Sequence, residues 1–371
     1  MNTSQLEKAV KEAVKTGNWM ISFDNGENSQ RKDGFKWNPI GKWNIDPDWY
    51  PSGCEYIKDT RYIYEKGLTK FAGTLYGQGP IAGGYRTNGS RLLFCQTKGP
   101  QISIGGDEGN ELVKVKEARI LLVNEIPSGL ETRFLNLRNH EGIKKIENLR
   151  TRQINLYGCT NLTDVSGLKA QEYAYLGKTT SLKSLKDLYT LNFIDLKGSS
   201  LESIEDITCP EIELNDCINL KKVKNLRNIQ KIDFTNCTSL TEIDNLLLGR
   251  TNAFELPKYW IAFTNCKNLI SAENLEADII TFKGCENLSY VDNIVGHRNI
   301  DFSDCPEIKT QKMNSINFNV HSRKALFDYE YGKMTYEEAR ELYDMRDEEK
   351  RKKFIEKISD RNKSLMEYLG Y

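Results

Sequence analysis

Apolar residues in the middle of the chain recur with a period of about twenty residues. In the clearest copy, two apolar residues lie two positions apart and four more follow at intervals of about three. That copy contains Ile232, Phe234, Cys237, Leu240, Ile243 and Leu246. Four further clear copies begin at Ile154, Ile212, Ile261 and Ile280, and weaker copies begin at Leu135, Ala174, Ile194 and Ile300. Nine units therefore lie between residues 135 and 308.

The spacing predicts the structure of one unit. Residues two apart place both side chains on one face of a short strand, and residues three apart fit a loose helical or an extended return. A unit of about twenty residues cannot bury its apolar stripe alone, so neighbouring units must stack as the coils of a solenoid. Glycine or asparagine before the cysteine position, as at Gly158 and Asn236, marks the turn that leaves each strand.

Six of the nine cysteines occupy one position of this repeat: Cys159, Cys217, Cys237, Cys266, Cys285 and Cys305. Equivalent positions in stacked coils point in the same direction, so we predict small buried thiols rather than disulfide partners. Free thiols favour a reducing compartment, and we expect a cytoplasmic protein. No CxxC pair supports a zinc site, and neither a cofactor nor a metal is predicted.

The strings INLYGCTNLTDVSGL at 154–168 and IDFTNCTSLTEIDNL at 232–246 resemble the leucine-rich repeat family, in particular its short, cysteine-containing type. The resemblance covers about residues 135–308. It implies a curved solenoid of parallel strands whose concave face binds another macromolecule. The chain departs from the commoner forms in its short unit and in the position before the strand, which is apolar at Leu191 and Ile229 but polar at Thr151 and Gln171.

We therefore predict an α/β solenoid of about nine coils between two different ends. Residues 1–112 form an aromatic-rich α+β or mostly β domain that caps the first coil, and residues 113–310 form the solenoid with an insertion at 247–259. Residues 311–371 form a helical cap, because Thr335 and Glu338 begin a charged stretch with an intermittent apolar face. At the other end, Ser4 and Glu7 predict a capping box for a helix that reaches about residue 16.

The outward positions of the sheet supply the candidate partner-binding residues. They are Tyr173, Tyr175, Phe193, Asp195, Glu213, Asp233 and Trp260, with Phe254 and Tyr259 in the insertion. Three acids follow one another in one column, in coils about 4.8 Å apart, which favours a protein partner with a basic surface. Exposed aromatic residues favour interface anchoring. The alternative is that the acids only keep an exposed sheet soluble and that the insertion only covers a packing defect.

The N-terminal region shows no catalytic motif. The first 139 residues contain no histidine, which excludes Ser-His-Asp and Cys-His arrangements there. Its glycine-rich stretch lacks GK[ST], so hairpin turns are the better interpretation than phosphate binding. Asp46 and Asp48, beside Trp37 and Trp43, fit paired carboxylates at a sugar site, but a proline turn with solvated acids is the better interpretation. Cys54 is interpreted as structural.

Composition narrows the function further. The chain has 371 residues with 52 basic and 52 acidic side chains, so neither general nucleic-acid binding nor attraction to an anionic membrane is expected. No apolar run approaches the roughly 18 residues that cross a bilayer. These observations favour a non-enzymatic protein–protein interaction module, and an effector or inhibitor acting on a host protein is one form of it. The alternative is an enzymatic or carbohydrate-binding N-terminal domain with the repeats as a targeting arm.

Overall fold

In the computed structural model, the chain divides by its internal contacts into two compact units, Met1–Ile194 and Asp195–Tyr371. The structure describes residues 1–24, 36–46, 49, 76–77, 79, 91–104, 112–248, 259–305, 309–310, 313–315 and 318–319.

The first unit opens with helix α1, Thr3–Thr16, which ends where the sequence predicts. Its N-cap is Asn2, whose side chain accepts a hydrogen bond from the amide of Gln5 while the Gln5 side chain accepts one from the amide of Asn2. The capping box therefore lies two residues before the predicted pair, Ser4 and Glu7. Asparagine and glutamine fill the same two roles as the serine and glutamate of that motif.

Two antiparallel sheets follow in the first unit. The strands of the larger sheet are β1 (Trp19–Asp24), β2 (Trp43–Ile45), β4 (Arg91–Lys98) and β7 (Glu117–Val123), in the spatial order β1-β4-β7-β2. The smaller sheet has β3 (Tyr76–Gly77), β5 (Ile102–Ile104) and β6 (Leu112–Lys114), in the order β3-β6-β5. The larger sheet thus extends past residue 112, where the sequence places the start of the solenoid.

The coils of the first unit begin with three parallel strands. These are β8 (Glu131–Asn136), β9 (Arg150–Asn155) and β10 (Lys169–Tyr175), and β11 (Ser184–Lys186) follows them. Leu135, Ile154 and Ala174 lie in register across the three strands and are all buried. Between Ala170 and Tyr173, β10 contains one residue more than β9, which is a β-bulge. Strand β12 (Phe193–Asp195) spans the division between the units.

The second unit consists of two parallel sheets. Its strands are β13 (Ser203–Glu205), β14 (Glu211–Glu213), β15 (Lys222–Ile229), β16 (Lys231–Asp233), β17 (Glu242–Leu248), β18 (Trp260–Ala262), β19 (Ser271–Thr281) and β20 (Tyr290–Asp301). One sheet has the order β14-β16-β18-β19-β20, and the other has the order β13-β15-β17. Three short strands pair in parallel with β20: β21 (Lys309–Thr310), β22 (Met313–Ser315) and β23 (Phe318–Asn319).

The predicted α/β solenoid with a helical cap, including the leucine-rich-repeat architecture, is wrong. The repeats form a parallel β-solenoid of about eight turns, and only 6% of the described residues are helical. In the second unit, the segment that connects one sheet strand to the next is itself a strand, as in β15, where Val223, Leu226 and Ile229 are all buried. The predicted helical cap at 311–371 lies outside the described residues except for β22 and β23, which are extended.

Asparagines in the left-handed conformation explain how one strand buries every third residue. In a straight strand, side chains three apart would face opposite sides of the sheet. In β15, Asn225 and Asn228 have φ values of 53° and 61° and turn the chain just before Leu226 and Ile229. Asparagine and aspartate adopt this conformation more readily than other side chains. Equivalent positive-φ residues in other coils are Asn148, Gly167, Asp187, Asp206 and Asn274.

The cysteines form a ladder of hydrogen bonds between coils. The Sγ of Cys159 donates to the carbonyl of Leu137 at 3.0 Å, and the Sγ of Cys237 donates to the carbonyl of Leu214 at 3.2 Å. The Leu137 carbonyl also accepts the amide of His140 in its own coil, so two donors share one acceptor. All eight described cysteines are buried and outside any disulfide, which confirms the buried-thiol prediction for the six at the repeat position.

Aromatic stacking ties the coils of the second unit together. The rings of Phe234, Phe263, Phe282 and Phe302 follow one another with centroids 5.1 Å apart. This distance is close to the spacing of neighbouring strands, about 4.8 Å. Each coil therefore packs the same ring against the same ring of its neighbour, and stability is a nearest-neighbour property.

Candidate functional site

The sheet face of the first unit carries three adjacent aromatic side chains, Tyr173, Tyr175 and Phe193, which we name the aromatic patch. The rings of Tyr173 and Tyr175 are stacked with centroids 6.4 Å apart and planes inclined by 8°, and the Phe193 ring lies 5.9 Å from Tyr175. All three side chains are half-buried rather than enclosed. The two tyrosines share a face because they lie two residues apart on β10. The structure thus brings together three of the residues that the sequence predicts for partner binding.

Two arginines, Arg133 on β8 and Arg152 on β9, lie over the ring of Phe134 on β8. The guanidinium carbons of Arg133 and Arg152 lie 5.1 Å and 5.8 Å from the centroid of the Phe134 ring, and this ring is only 6% exposed. The Nε of Arg152 pairs with Glu172 at 2.7 Å. Sequence reasoning missed these arginines. The signal was arginine at outward strand positions in two consecutive repeats.

A concave groove of about 610 Å³ lies among these arginines, and we name it the basic groove. Four cationic side chains line it: Arg133, Arg150, Arg152 and Lys169. Glu131 is the one carboxylate among the described lining residues, and its Oε1 lies 3.3 Å from Arg150. The groove therefore has an excess of positive charge on a chain whose formal net charge is zero.

Small side chains on three neighbouring strands leave room for this groove. Thr132, Thr151 and Ala170 line it and lie in register across β8, β9 and β10. The hydroxyl of Thr151 donates to the carbonyl of Gln153 at 2.8 Å, which keeps the polar atom of this buried residue paired. The groove is consequently part of the strand framework rather than of a separate loop.

In the second unit, the predicted column of Asp195, Glu213 and Asp233 is engaged by the chain itself. The carboxylates of Asp195 and Asp233 each accept a hydrogen bond at 2.9 Å from the backbone amide two residues further on. This is the Asx turn, which asparagine and aspartate favour at chain reversals. Two of the acids therefore shape the corner of the coil.

Two lysines lie against Glu213 in the same column, and Lys231 is paired more closely with Glu211 beside it. The Nζ of Lys197 lies 2.6 Å from a carboxylate oxygen of Glu213, and the Nζ of Lys231 lies 3.8 Å from the other. The hydrogen bond to Glu213 raises the pKa of Lys197, which favours its charged form. Partial burial raises the pKa of Asp195, and the hydrogen bond from the Lys197 amide opposes that effect. Sequence reasoning did not place Lys197 against this column.

Trp260 and Tyr259, which the sequence predicts as partner-binding residues at the insertion, contact different residues of the chain. Trp260 opens β18 and lies under the Nζ of Lys231, 5.8 Å from its ring centroid. The amide of Tyr259 donates to Asp278 at 3.0 Å. Phe254 and the rest of 249–258 lie outside the described residues.

The paired-carboxylate site predicted in the N-terminal region stays a prediction, because only Asp46 of its two acids lies within the described residues. Trp37 lines a cavity of about 360 Å³ with Lys36 and Arg91, whereas neither Trp43 nor Asp46 is among its described lining residues. The Trp43 ring is covered instead by the guanidinium of Arg119, at 4.7 Å. Asp46 is buried. Asp48 and Cys54 lie outside the described residues.

Buried thiols and a buried histidine have shifted proton affinities without forming a reactive pair. Burial raises the pKa of Cys159 and of Cys305 to about 12, which disfavours thiolate formation. Burial also lowers the pKa of His140 to about 4, and its ring packs edge-on against Phe23 at 5.6 Å. Neither ring nitrogen of His140 has a hydrogen-bond partner in the described residues. Within the same residues, no group of three or more potential metal ligands occurs.

Comparison of the chain with protein-family models, with curated protein sequences and with solved structures found no match in any of the three. The β-solenoid is therefore not assigned to a repeat family. Among the described residues, no helix combines the length and apolar character needed to span a membrane.

Proposed function

We propose that this protein is a protein-binding module whose first unit contacts its partner through the aromatic patch. The observation that carries the proposal is the stacking of Tyr173 on Tyr175, with the Phe193 ring tilted against Tyr175, on a half-exposed sheet face. Partly exposed aromatic residues are typical anchors at the centres of protein interfaces.

The rigidity of the patch supports this function. Each tyrosine extends from β10, which pairs with β9 in register on both sides of the bulge. Side chains that are already stacked lose little conformational freedom on binding, which lowers the entropic cost of association. The flanking Arg133 and Arg152 add residues of the type that is enriched at interfaces.

Affinity capture with matched variants tests the proposal. Tyr173→Ser combined with Tyr175→Ser removes two rings of the patch, whereas Tyr290→Ser removes a half-buried tyrosine at the start of β20 in the second unit. A partner of the patch is retained from a native lysate by the wild type and by Tyr290→Ser, and is lost with the double variant. Titration of that purified partner then measures the direct affinity. Equal affinity for all three proteins would show that the patch is not the binding site.

The acidic column of the second unit carries a separate proposal, a partner with a basic surface. Glu213 and Asp233 lie in register on neighbouring strands, and a lysine or arginine of a partner would compete there with Lys197. Replacing the acids by lysine would also destroy two Asx turns, so the discriminating variant is Asp195→Asn with Glu213→Gln and Asp233→Asn. These amides keep a hydrogen-bond acceptor and remove the charge. Undiminished capture of a basic partner by this variant would refute the assignment.

We also propose that the protein works in the cytoplasm. The described cysteines form no disulfide, as expected in a reducing compartment. Fractionation of cells that express a tagged chain tests this, and recovery in a secreted fraction would contradict it.

A further inference from the structure

We propose that the basic groove of the first unit binds a short acidic segment of a protein partner in extended conformation. The inference rests on the proposed function in one respect, namely that the partner is a protein. It adds the basic groove as a second binding surface and states that the segment bound there is acidic.

The charge of the groove supports an anionic ligand. Arg133, Arg150, Arg152 and Lys169 line it, against two carboxylates: Glu131 in the lining, and Glu172, which pairs with Arg152. The Glu131–Arg150 pair is well exposed, with side-chain exposures of 68% and 65%. Exposed pairs of this kind contribute little stability, so a carboxylate of a ligand can take the place of Glu131 at low cost.

The spacing of the cations fits an extended peptide. Arg150 and Arg152 lie two residues apart on β9, and Lys169 lies in register with Arg150 on the neighbouring strand. Residues two apart along a strand are separated by about 6.6 Å, and neighbouring strands by about 4.8 Å. Alternate side chains of an extended peptide also repeat at about 6.6 Å. Two acidic residues separated by one residue therefore match Arg150 and Arg152.

The arginines are held in orientations that suit carboxylates. Glu172 fixes the Nε of Arg152 at 2.7 Å, and both Arg152 and Arg133 lie over the Phe134 ring. These contacts limit the conformational freedom of both guanidinium groups, whose forked N–H donors match the geometry of a carboxylate. The contacts of Glu131 and Glu172 show that carboxylates already bind at this site.

The size of the groove favours a peptide over a single-stranded nucleic acid. Its cations lie on β8, β9 and β10, so across the strands it extends roughly 10 Å, two strand spacings. Nucleic-acid binding draws its affinity from many phosphate contacts along a basic track. Two or three carboxylates of one peptide segment match the charges present.

Fluorescence anisotropy with a labelled peptide of six glutamates tests the proposal on the full chain. We expect saturable, salt-sensitive binding that weakens about tenfold or more in Arg150→Glu with Lys169→Glu. The matched control, Lys222→Glu with Lys267→Glu, makes the same change in net charge in the second unit and should keep the wild-type affinity. Lys222 and Lys267 also belong to exposed ion pairs, at 3.1 Å and 2.8 Å. A neutral variant, Arg150→Gln with Lys169→Gln, and the melting temperatures of all variants detect a loss caused by misfolding.

Three outcomes would overturn the inference. They are no saturable binding at millimolar peptide, equal losses in the groove and control variants, or tighter groove-dependent binding of a six-nucleotide oligo-dT than of the glutamate peptide. The Tyr173→Ser and Tyr175→Ser variant separates this inference from the proposed function, since it should still bind the glutamate peptide. Any of the three outcomes would leave the proposed function standing, because that function is tested by capture through the aromatic patch.

Discussion

The sheet face of the first unit and that of the second unit differ in how their charges are paired. In the second unit, Glu213 lies within 4 Å of both Lys197 and Lys231. In the first unit, four cations line the basic groove beside the aromatic patch, and they outnumber the two carboxylates, Glu131 and Glu172, that pair with Arg150 and Arg152. Both faces are built on parallel strands in register. The comparison teaches that the coil backbone sets the positions and that the outward residues alone set the binding chemistry.

Both units contain buried cysteines that donate hydrogen bonds to the neighbouring coil. A charged residue in this ladder has the largest expected effect on stability. Cys237→Asp replaces a thiol that donates to the Leu214 carbonyl by a carboxylate that faces the same oxygen. We expect a loss of on the order of 4 kcal/mol in the free energy of unfolding, because a buried charge is left unpaired. Chemical denaturation measures it. Cys237→Ser is the control, since it keeps a donor, and a small loss for Cys237→Asp would show that the position is hydrated.

A truncation in the aromatic ladder tests a packing feature of the second unit. Phe263→Ala removes a ring that stacks on Phe234 and on Phe282 at 5.1 Å. A loss of about 3–4 kcal/mol is expected from the buried area and the cavity. Phe263→Leu should retain most of the stability, because leucine occupies the same position in the first unit at Leu156. Similar denaturation midpoints for Phe263→Ala and the wild type would contradict the nearest-neighbour account.

In the first unit, His140 occupies the cysteine position of its coil. The pH dependence of stability tests whether this buried imidazole is neutral in the folded protein. Burial lowers the folded-state pKa of His140 to about 4 from the ordinary value of 6.5. Between these values the unfolded state binds more protons, so the free energy of unfolding falls as the pH decreases from about 7 to 4, by roughly 3 kcal/mol. His140→Cys should remove this part of the pH dependence. Parallel stability profiles for the two proteins across that window would refute the assignment.

Removing Lys197 and Lys231 tests whether these lysines mask the acidic column of the second unit. Of the four changes, it has the smallest expected effect on stability. Lys197→Gln with Lys231→Gln should cost only about 1 kcal/mol or less, because the pairs are partly exposed. The variant should gain affinity for a labelled peptide of six lysines, since the acidic column is no longer neutralised. Lys222→Gln with Lys267→Gln is the charge-matched control in isothermal titration. Equal affinity of the two variants would mean that the lysines do not mask the column.

Sequence reasoning recovered the repeat but not the fold class. The positions around Cys159 and Cys237 are buried as the period predicts, and Gly158 and Asn236 turn the chain at φ values of 73° and 63°. The segment that connects one sheet strand to the next has apolar residues at intervals of three. This interval fits a helical stripe, which is why the sequence predicts an α/β solenoid. The contrary signal was asparagine, aspartate or glycine just before the apolar residue, as at Asn225. That pattern lets a strand bend, so the helical interpretation was not required.

The candidate site was predicted only in part. Tyr173, Tyr175 and Phe193 share a face because alternation along a strand is a local property. The basic groove depends on Arg133, Arg150 and Lys169, which are about twenty residues apart and meet only when the coils stack in register. The pairing of Lys197 with Glu213 likewise joins two coils.

The order of apolar and turn residues along the chain was enough to determine that the protein is a solenoid with thiols inside. Those features follow from local periodicity and from burial, which each repeat encodes by itself. Tertiary structure decided that connecting segments such as β15 are strands. It also decided that Lys197 pairs with Glu213 and that four cations meet in the basic groove. These depend on register between residues far apart in the chain, where a shift of one residue would change every neighbour.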